Sequence, residues 1–504
     1  MIKNFVNAKT LEGEPLSFAV ERGRFVSIGD RQPGQDAIDL QGGTVLPGFI
    51  DAHCHIMPTG LDELRLHLGD CMSPEETLGA IRDRLPTIEP GQWLMAVHYD
   101  QNRFESGDHI HRDQLDEISA SVPIVLRHVN GHASVVNSAA LQHAKVDESV
   151  SDPKGGTFVR DQGGRLTGVL LERAHEYVSD RAPAPSQEQM VEAILRAARS
   201  MSKFGITCAS DMMTGYCNLE KELTAYRLAA EAGAPIRFRL YAMWSNVFGP
   251  RPLERDRLKE LIDAMDPERC KVAGAKIFAD GAIASATAAI HCEFAKGGNG
   301  QLIYSPDRLQ GMVSTADAEG WALSVHSIGD RATDHVLDAF AKTTDPSRHR
   351  IEHAMILSDD QIGRLADLQC HTAMQPEFLM RLGHAYRRQL PSDVAARLKR
   401  LASALQAGVR LSLNSDRPVV PGNPWDGIAS ASQRPAGFAP EENIPERESI
   451  RLYTEGGADA NDDRGVMGEI DVGCLADFQV YNELPRAADP KLPDSVYLGG
   501  DSVR

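Results

Sequence analysis

From Pro47 onward, short apolar runs alternate with segments whose apolar residues recur at helical spacing. Helices are predicted at 187–204, 223–232 and 394–407, and a glycine follows each one, where a helix end favours a left-handed residue. Such alternation is typical of βα units built around a mostly parallel sheet. We predict its strands at 45–53, 123–129, 206–210, 236–243, 272–279, 321–326, 349–353, 371–374 and 409–414.

Nine strands are one too many for a (β/α)₈ barrel, and the segment between His55 and Gly205 is too long for one connection. We therefore assign 123–129 to a subdomain inserted at about 60–185 and the other eight strands to a barrel within 45–454. Both chain ends have the alternating texture of β-hairpins. The predicted fold is thus an α/β TIM-like barrel with an inserted subdomain and a small β-sandwich built from residues 1–44 and 455–504.

The stretch 47–55 delivers two histidines where an apolar strand runs out into a loop. Because side chains alternate along a strand, His53 and His55 point to the same side and can share a cation. A lone pair of this kind is also compatible with one core histidine and one loop histidine. The metal interpretation therefore depends on further ligands at the ends of other strands.

Further candidate ligands occur on four later strands. Lys276 lies inside an apolar run, where an amine is costly unless it is paired or neutralised. Pairing with Asp280 or another acid is one interpretation, and conversion by carbon dioxide to a metal-bridging carbamate is the other. His326, His353 and Asp416 each follow an apolar strand, at the catalytic rim of a barrel, although Asp416 is also suited to capping a turn. This nitrogen and oxygen donor set suits zinc, with manganese or iron as alternatives.

Composition narrows the classes of partner. The chain of 504 residues has 71 acidic and 53 basic residues and a formal charge of −18, without a basic cluster, which argues against nucleic acid and anionic membranes. Eight cysteines without a Cys-x-x-Cys pair suit a reducing compartment. The N-terminus lacks the apolar core of a signal peptide, and no apolar run is long enough to span a bilayer. We expect a soluble cytoplasmic protein that acts on a small molecule, with a homodimer as the default assembly.

Together these stretches resemble the amidohydrolase superfamily, and in particular amidohydrolase family 3, the branch of YtcJ-like hydrolases and N-substituted formamide deformylase. The matching motifs run in the family's order over nearly the whole chain. They lie at 47–55, 136–141, 163–170, 276–288, 326–332, 351–354, 415–419 and 468–478.

The resemblance implies two divalent metal ions, most simply zinc, at the rim of the barrel. It assigns six ligands to them: His53, His55 and Asp416 for the inner ion, His326 and His353 for the outer ion, and carboxylated Lys276 between the two. A bridging hydroxide would attack a carbonyl carbon polarised by the outer ion, because metal binding lowers the pKa of water to about 7. Asp416 would pass the proton to the leaving nitrogen. The implied activity is hydrolysis of a carbon–nitrogen bond other than a peptide bond, in a small amide, formamide or cyclic amide.

Candidate substrate contacts lie in the inserted subdomain. Tyr99, Asp100 and Gln101 occupy a segment where relatives carry glycine and tryptophan before the Asp-Gln pair, so His98 and Tyr99 depart from the family pattern. His132 follows an apolar strand in a stretch rich in donors and acceptors, and it is predicted as a pocket residue, with a structural hydrogen-bonding role as the alternative.

Two other functions are compatible with parts of the pattern. A mononuclear zinc deaminase would use a similar barrel, histidines and aspartate, but it would not need Lys276. A catalytically silent scaffold would be expected to have lost ligands, whereas this chain keeps every one of them. Lys276 therefore discriminates between the binuclear hydrolase and the deaminase.

Overall fold

The computed structural model describes residues 2–29, 37–129, 133–153, 155–250, 252–486 and 491–504. The chain forms two compact units. One consists of Met1–Thr59 together with Ile194–Arg504, and the other is Gly60–Ala193. Among the helices in these ranges, none has the length and apolar character needed to cross a membrane.

Within the described residues, eight parallel strands follow one another around a sheet in chain order. They are β1 (Phe49–Cys54), β2 (Ile206–Thr214), β3 (Arg237–Met243), β4 (Cys270–Phe278), β5 (Leu323–Ser327), β6 (Arg350–His353), β7 (His371–Met374) and β8 (Leu411–Leu413). The ends of β1 and β8 meet through two backbone hydrogen bonds of 2.7 Å, His55 N–H to the Arg417 carbonyl and Asp416 N–H to the His53 carbonyl. The sheet is nearly closed, which confirms the predicted barrel.

Helices connect and cover these strands. Serine side chains start several of them, as at Ser305, whose hydroxyl accepts from the Arg308 N–H at 3.3 Å, because the first N–H groups of a helix lack partners within it. The helices of the barrel region are Ile56–Leu64, Gln187–Ser202, Leu219–Glu231, Trp244–Val247, Arg255–Asp263, Pro306–Ala318, Asp330–Phe340, Asp359–Leu368, Glu377–Gln389, Ser392–Ala396, Leu401–Gln406, Pro424–Ser432, Glu446–Tyr453 and Glu455–Asp459.

The two chain ends pair in one sheet, as predicted. Its strands are Ile2–Lys9, Pro15–Glu21, Arg24–Gly29, Ile38–Asp39, Thr44–Pro47, Phe478–Tyr481, Ser495–Leu498 and Asp501–Ser502. Thr44–Pro47 and Phe478–Tyr481 run antiparallel and join the ends directly. Phe5, Phe18 and Phe478 form the centre of its core, with ring centroids 5.0 to 5.2 Å apart.

The unit Gly60–Ala193 contains a separate six-stranded sheet within its described residues. Its strands are Leu66–His67, Leu94–Tyr99, Ile124–His128, Ala133–Val136, Gly156–Arg160 and Leu166–Glu172. Its helices are Pro74–Arg84, Arg112–Asp116, Ser138–His143 and Arg173–Ser179. The strand predicted at 123–129 therefore lies in this sheet and outside the barrel.

Two predicted elements are wrong in their continuity. The run 45–53 is two strands in two sheets, because the chain changes sheet at Gly48, where a Cβ would lie 2.1 Å from Thr207 Oγ1. The helix predicted at 394–407 is two helices, Ser392–Ala396 and Leu401–Gln406. Between them Lys399 has a φ of +56° and donates from Nζ to two buried oxygens. Long-range hydrogen bonds thus override the local helical periodicity.

Candidate metal centre

The carboxyl ends of the barrel strands bring the predicted ligands together. One donor atom from each of His53, His55 and Asp416 lies within 4.8 Å of the others. Asp416 Oδ1 is 3.0 Å from His55 Nε2 and 3.4 Å from His53 Nε2. The His353 ring stands 4.8 Å from the His53 ring and 4.5 Å from the His326 ring, measured between centroids. Four imidazoles and one carboxylate therefore share one end of the barrel.

Glu352 on β6 orients His53. Its Oε2 lies 2.6 Å from His53 Nδ1, and its other oxygen accepts from Ser324 Oγ at 2.8 Å and from the Arg350 guanidinium. Burial raises the pKa of Glu352, but the charges of Arg350 and His53 lower it more, and the net pKa is well below the ordinary value. A carboxylate on Nδ1 leaves Nε2 of His53 for a cation. In the sequence, the only indication of this role is that Glu352 is a charged residue inside an apolar strand, next to His353.

Gln375, directly after β7, orients His353. Its Oε1 lies 3.0 Å from His353 Nδ1 and also accepts from Lys399 Nζ at 2.6 Å. Its amide nitrogen donates to Asn414 Oδ1 at 2.6 Å, which fixes the amide in this orientation. The remaining nitrogen of His353, Nε2, is left for another partner. The sequence places Gln375 near a barrel strand end without giving it a role, and it gives no indication of Lys399, because neither belongs to a ligand motif.

His326 is oriented by the loop after β4. Its Nε2 lies 3.1 Å from the Gly281 carbonyl oxygen, which leaves Nδ1 as the second donor atom. Burial and the charge of Lys276 lower the pKa of His326 to about 3. The ring is therefore neutral at physiological pH, as a metal ligand must be.

One interpretation of the sequence pairs Asp280 with Lys276. In the structure, the hydrogen-bond partners of Asp280 are backbone N–H groups. Its oxygens accept from the N–H groups of Ile328 at 2.9 Å, Gly329 at 2.8 Å and Ala289 at 2.9 Å. Burial raises the pKa of Asp280 to about 6 against the effect of these hydrogen bonds. Asp280 thus ties the loop after β4 to the loop after β5, and it does not neutralise Lys276.

Lys276 is the unusual group of the centre. Its side chain is 1% exposed, and among the described residues its Nζ has no hydrogen-bond partner. Burial lowers the pKa of the amine to about 8, against the charges of Glu352 and Asp416, which raise it. A buried amine without a partner is costly. The position therefore favours a modified or liganded lysine.

Two of the candidate ligands have strained backbone. His353 has a φ of +73° and Asp416 a φ of +57°, which residues with a Cβ rarely adopt. Such conformations cost about 1 to 3 kcal/mol each and concentrate at functional sites. Burial raises the pKa of Asp416, but His53 and His55 lower it more, so its carboxyl group stays ionised. Oriented imidazoles, an ionised carboxylate and an orphaned buried amine fit a divalent metal centre.

The predicted substrate residues lie in the unit Gly60–Ala193. Tyr99 is buried, and its hydroxyl accepts from the Ile110 N–H at 3.0 Å. Asp100 accepts from the Asn102 N–H at 3.0 Å and caps the short turn Gln101–Arg103. His132 lies outside the described residues. Binding of substrate by these four residues stays a prediction.

The fold is an α/β barrel whose strand ends carry a group of side chains that could hold a metal ion. The chain belongs to the amidohydrolase family, whose sequence profile matches residues 36–504. It is 30% identical over 471 residues to the putative amidohydrolase YtcJ of Bacillus subtilis, which covers 91% of this chain and 87% of that protein. It is 29% identical over 481 residues to the N-substituted formamide deformylase of Arthrobacter pascens, with 91% and 86% covered.

A solved structure supports the fold. An uncharacterized metal-dependent hydrolase from Pyrococcus furiosus superposes with a TM-score of 0.81 at 24% identity, covering 97% of this chain and all of that one. The family match and the two relatives confirm the resemblance inferred from the sequence motifs. The protein is a member of the amidohydrolase family.

Proposed function

We propose that this protein hydrolyses a carbon–nitrogen bond other than a peptide bond, in a small amide, formamide or cyclic amide, with two divalent ions, most simply zinc. The buried environment of Lys276 is the observation that supports this proposal most directly. Its buried amine has no hydrogen-bond partner among the described residues and lies beside four histidines and an aspartate, an arrangement that suits a modified or metal-bound lysine. The similarity to an N-substituted formamide deformylase supports the same kind of bond. Eight free cysteines support a cytoplasmic location.

Carboxylation of Lys276 would explain how its side chain is accommodated in a buried site without a hydrogen-bond partner. The neutral amine nitrogen adds to the carbon of carbon dioxide, loses one proton and becomes a carbamate anion with two oxygen donors. A pKa of about 8 leaves an appreciable share of the amine neutral near physiological pH, which this addition requires. The carbamate would supply oxygen ligands to both ions, His53, His55 and Asp416 would hold one ion, and His326 and His353 would hold the other.

The chain's own residues organise the reaction. When bound, the metal ions supply an activated water near neutral pH and polarise the amide carbonyl. Glu352 and Gln375 fix the tautomers of His53 and His353, so the centre is preorganised. Asp416 takes the proton from the water on a carboxylate oxygen and delivers it to the leaving nitrogen.

Metal content and activity of Lys276→Met test the proposal. Protein purified without chelator in bicarbonate buffer should contain about two metal equivalents by plasma mass spectrometry and release amine from members of an amide, formamide and lactam panel. Lys276→Met should lose the second equivalent and at least about a hundredfold in kcat. Lys271→Met is the matched control, because Lys271 lies on the same strand and its Nζ is 2.6 Å from Asp463.

A mononuclear deaminase is the second candidate, because His53, His55 and Asp416 alone form a complete group of three donors. It predicts about one metal equivalent and a Lys276→Met variant that keeps its activity. Full metal content without hydrolysis of any amide, lactam, carbamate or ester would reject the hydrolase proposal.

A further inference from the structure

We infer that the substrate carries an uncharged apolar group, and that the hydroxyl of Tyr386 donates a hydrogen bond to a polar atom of its reacting amide. This inference rests on the proposed function and adds the chemical class of the substrate. It comes from the cavity next to the candidate ligands, whose volume is about 310 Å³.

Apart from the candidate ligands, most of the side chains that line the cavity are apolar. The loops after β4, β5, β6 and β8 contribute Ile283, Ile328, Met355 and Val419 to it. Among the described residues that line this cavity, Asp416 is the one acid, and no lysine or arginine is present. A charged group on the substrate would lose its hydration there without gaining a charged partner among these residues, which is unfavourable. The wall therefore selects against charged substrates.

One helix face forms a large part of this wall. Phe378, Leu382 and Tyr386 are spaced four residues apart on the helix Glu377–Gln389, so they lie on one side of it. All three line the cavity, and the helix follows β7 at the carboxyl end of the barrel. A rigid helix with three large side chains gives the cavity a fixed shape. Specificity should therefore be set by the fit of the apolar group against this helix.

Tyr386 is the polar exception on this face. Its side chain is 5% exposed, and among the described residues none hydrogen-bonds to its hydroxyl. Burial and the charge of Asp416 raise the pKa of the phenol, so the group stays protonated and can donate. Buried tyrosine hydroxyls usually have a partner. Tyr481 has two, since its hydroxyl donates to Gln479 Oε1 at 2.7 Å and accepts from Trp425 Nε1 at 2.9 Å.

The Tyr386 hydroxyl is not one of the fully buried polar atoms without a partner, so it is open to the cavity, where a substrate can accept its hydrogen bond. The candidate histidine ligands and Asp416 line the same cavity, so a substrate whose amide reaches them occupies the cavity that Tyr386 also lines. The volume of about 310 Å³ has room for on the order of ten non-hydrogen atoms, at about 30 Å³ for each water-sized group. An amide with one aromatic ring or one branched aliphatic group fits this size.

A matched pair of substrates tests the apolar class. N-benzylformamide and N-(4-carboxybenzyl)formamide have the same scissile bond and differ by one charge at the apolar end. The metal-loaded protein should hydrolyse the neutral compound with a kcat/KM at least about a hundredfold higher, because the carboxylate would be desolvated. Equal values, or a preference for the carboxylate, would overturn the inference.

The panel of amides, formamides and lactams used to test the proposed function distinguishes a failure of this inference from a failure of that function. Hydrolysis of small charged or strongly polar amides, with the neutral apolar ones left intact, would reject the apolar class while the amide hydrolase stands. Failure of every amide at full metal content would reject the proposed function, and the inference with it. Leu382→Lys, at a half-buried position of the same wall, should shift the ratio of the two kcat/KM values at least about tenfold toward the carboxylated compound.

Tyr386→Phe tests the hydroxyl. It should lower kcat/KM for N-benzylformamide at least about tenfold, the scale of one hydrogen bond, without lowering Tm or metal content, because no protein partner is lost. Tyr481→Phe is the control, and it should lower Tm while kcat/KM stays unchanged, because its hydroxyl has protein partners remote from the cavity. An unchanged kcat/KM in Tyr386→Phe, or a Tm that falls as in the control, would remove the assigned role.

Discussion

At the residue scale, the centre depends on a layer of groups that do not themselves touch a metal. Glu352, Gln375 and the Gly281 carbonyl each take one nitrogen of a histidine and leave the other. The histidines could be predicted from the sequence, because strand alternation and strand ends are local patterns. Glu352 and Gln375 could not be assigned, because the role of Glu352 depends on His53, 299 residues away in the chain.

Glu352→Gln should damage both metal binding and stability. The variant keeps the shape of the side chain but removes the carboxylate that accepts from His53 and pairs with Arg350. We expect metal affinity to fall about 10- to 100-fold. We also expect the free energy of unfolding to fall by about 3 to 5 kcal/mol, because Arg350 is left buried without its charge partner. Competitive metal titration and urea unfolding of the metal-free protein measure the two effects.

Ser324→Ala is the control for this substitution. It removes a neutral donor to Glu352, at 2.8 Å, and leaves the carboxylate and its two other partners in place. Its effects should be smaller in both assays, about 1 kcal/mol in unfolding. Metal binding by Glu352→Gln as tight as in the parent protein would show that Glu352 does not orient His53.

At the element scale, most barrel strands follow from the sequence because each is a short apolar run ending in a polar residue. Whether a predicted strand or helix is continuous is harder to predict. The run 45–53 is divided between two sheets at Gly48, which packs closely against Thr207. The spacing of apolar residues in the sequence does not indicate that contact. The segment 394–407 is broken because the Lys399 amine bonds to the His353 carbonyl and to Gln375. Local propensity describes both stretches well, but distant partners decide where the elements end.

The helix Leu219–Glu231 provides a pH-dependent contribution to stability. Burial raises the pKa of Glu222 in its first turn to about 7, although the N–H groups of Gly215 and Cys217, each at 2.6 Å, lower it. The folded protein therefore holds this proton more tightly than the unfolded chain, in which the pKa is near 4.5. Because the folded state binds more protons between pH 4.5 and about 7, the free energy of unfolding should fall as the pH rises through this window.

Glu222→Gln should remove that part of the pH dependence. We expect the difference in free energy of unfolding between pH 5 and pH 7.5 to shrink by about 2 to 3 kcal/mol relative to the parent protein. Urea unfolding of metal-free protein at the two pH values measures it. Glu220→Gln, on the same turn of the helix, is the matched control for loss of one acidic side chain. The same pH slope in Glu222→Gln and the parent would contradict the prediction.

At the scale of the whole molecule, the metal centre joins parts of the chain that are far apart in sequence. His53 lies at the end of β1, which Gly48 separates from the sheet of the two chain ends, and Asp416 follows β8 and closes the barrel against His53. Occupancy of the centre should therefore stabilise the entire barrel. Binding at 100 times the dissociation constant contributes about 2.7 kcal/mol for each ion.

Carbon dioxide should be required for full metal loading. Protein stripped by a chelator and reloaded with zinc in carbon dioxide-free buffer should bind the second equivalent weakly, because the Lys276 amine is then an uncharged or cationic group beside two cations. Reloading with isotopically labelled bicarbonate should restore the second equivalent, raise Tm and produce a carbamate carbon signal in the NMR spectrum. Lys276→Met should show none of these three effects, whereas Lys271→Met should show all three. Tight binding of two equivalents without carbon dioxide, and without a labelled carbon, would mean that Lys276 acts as a free amine.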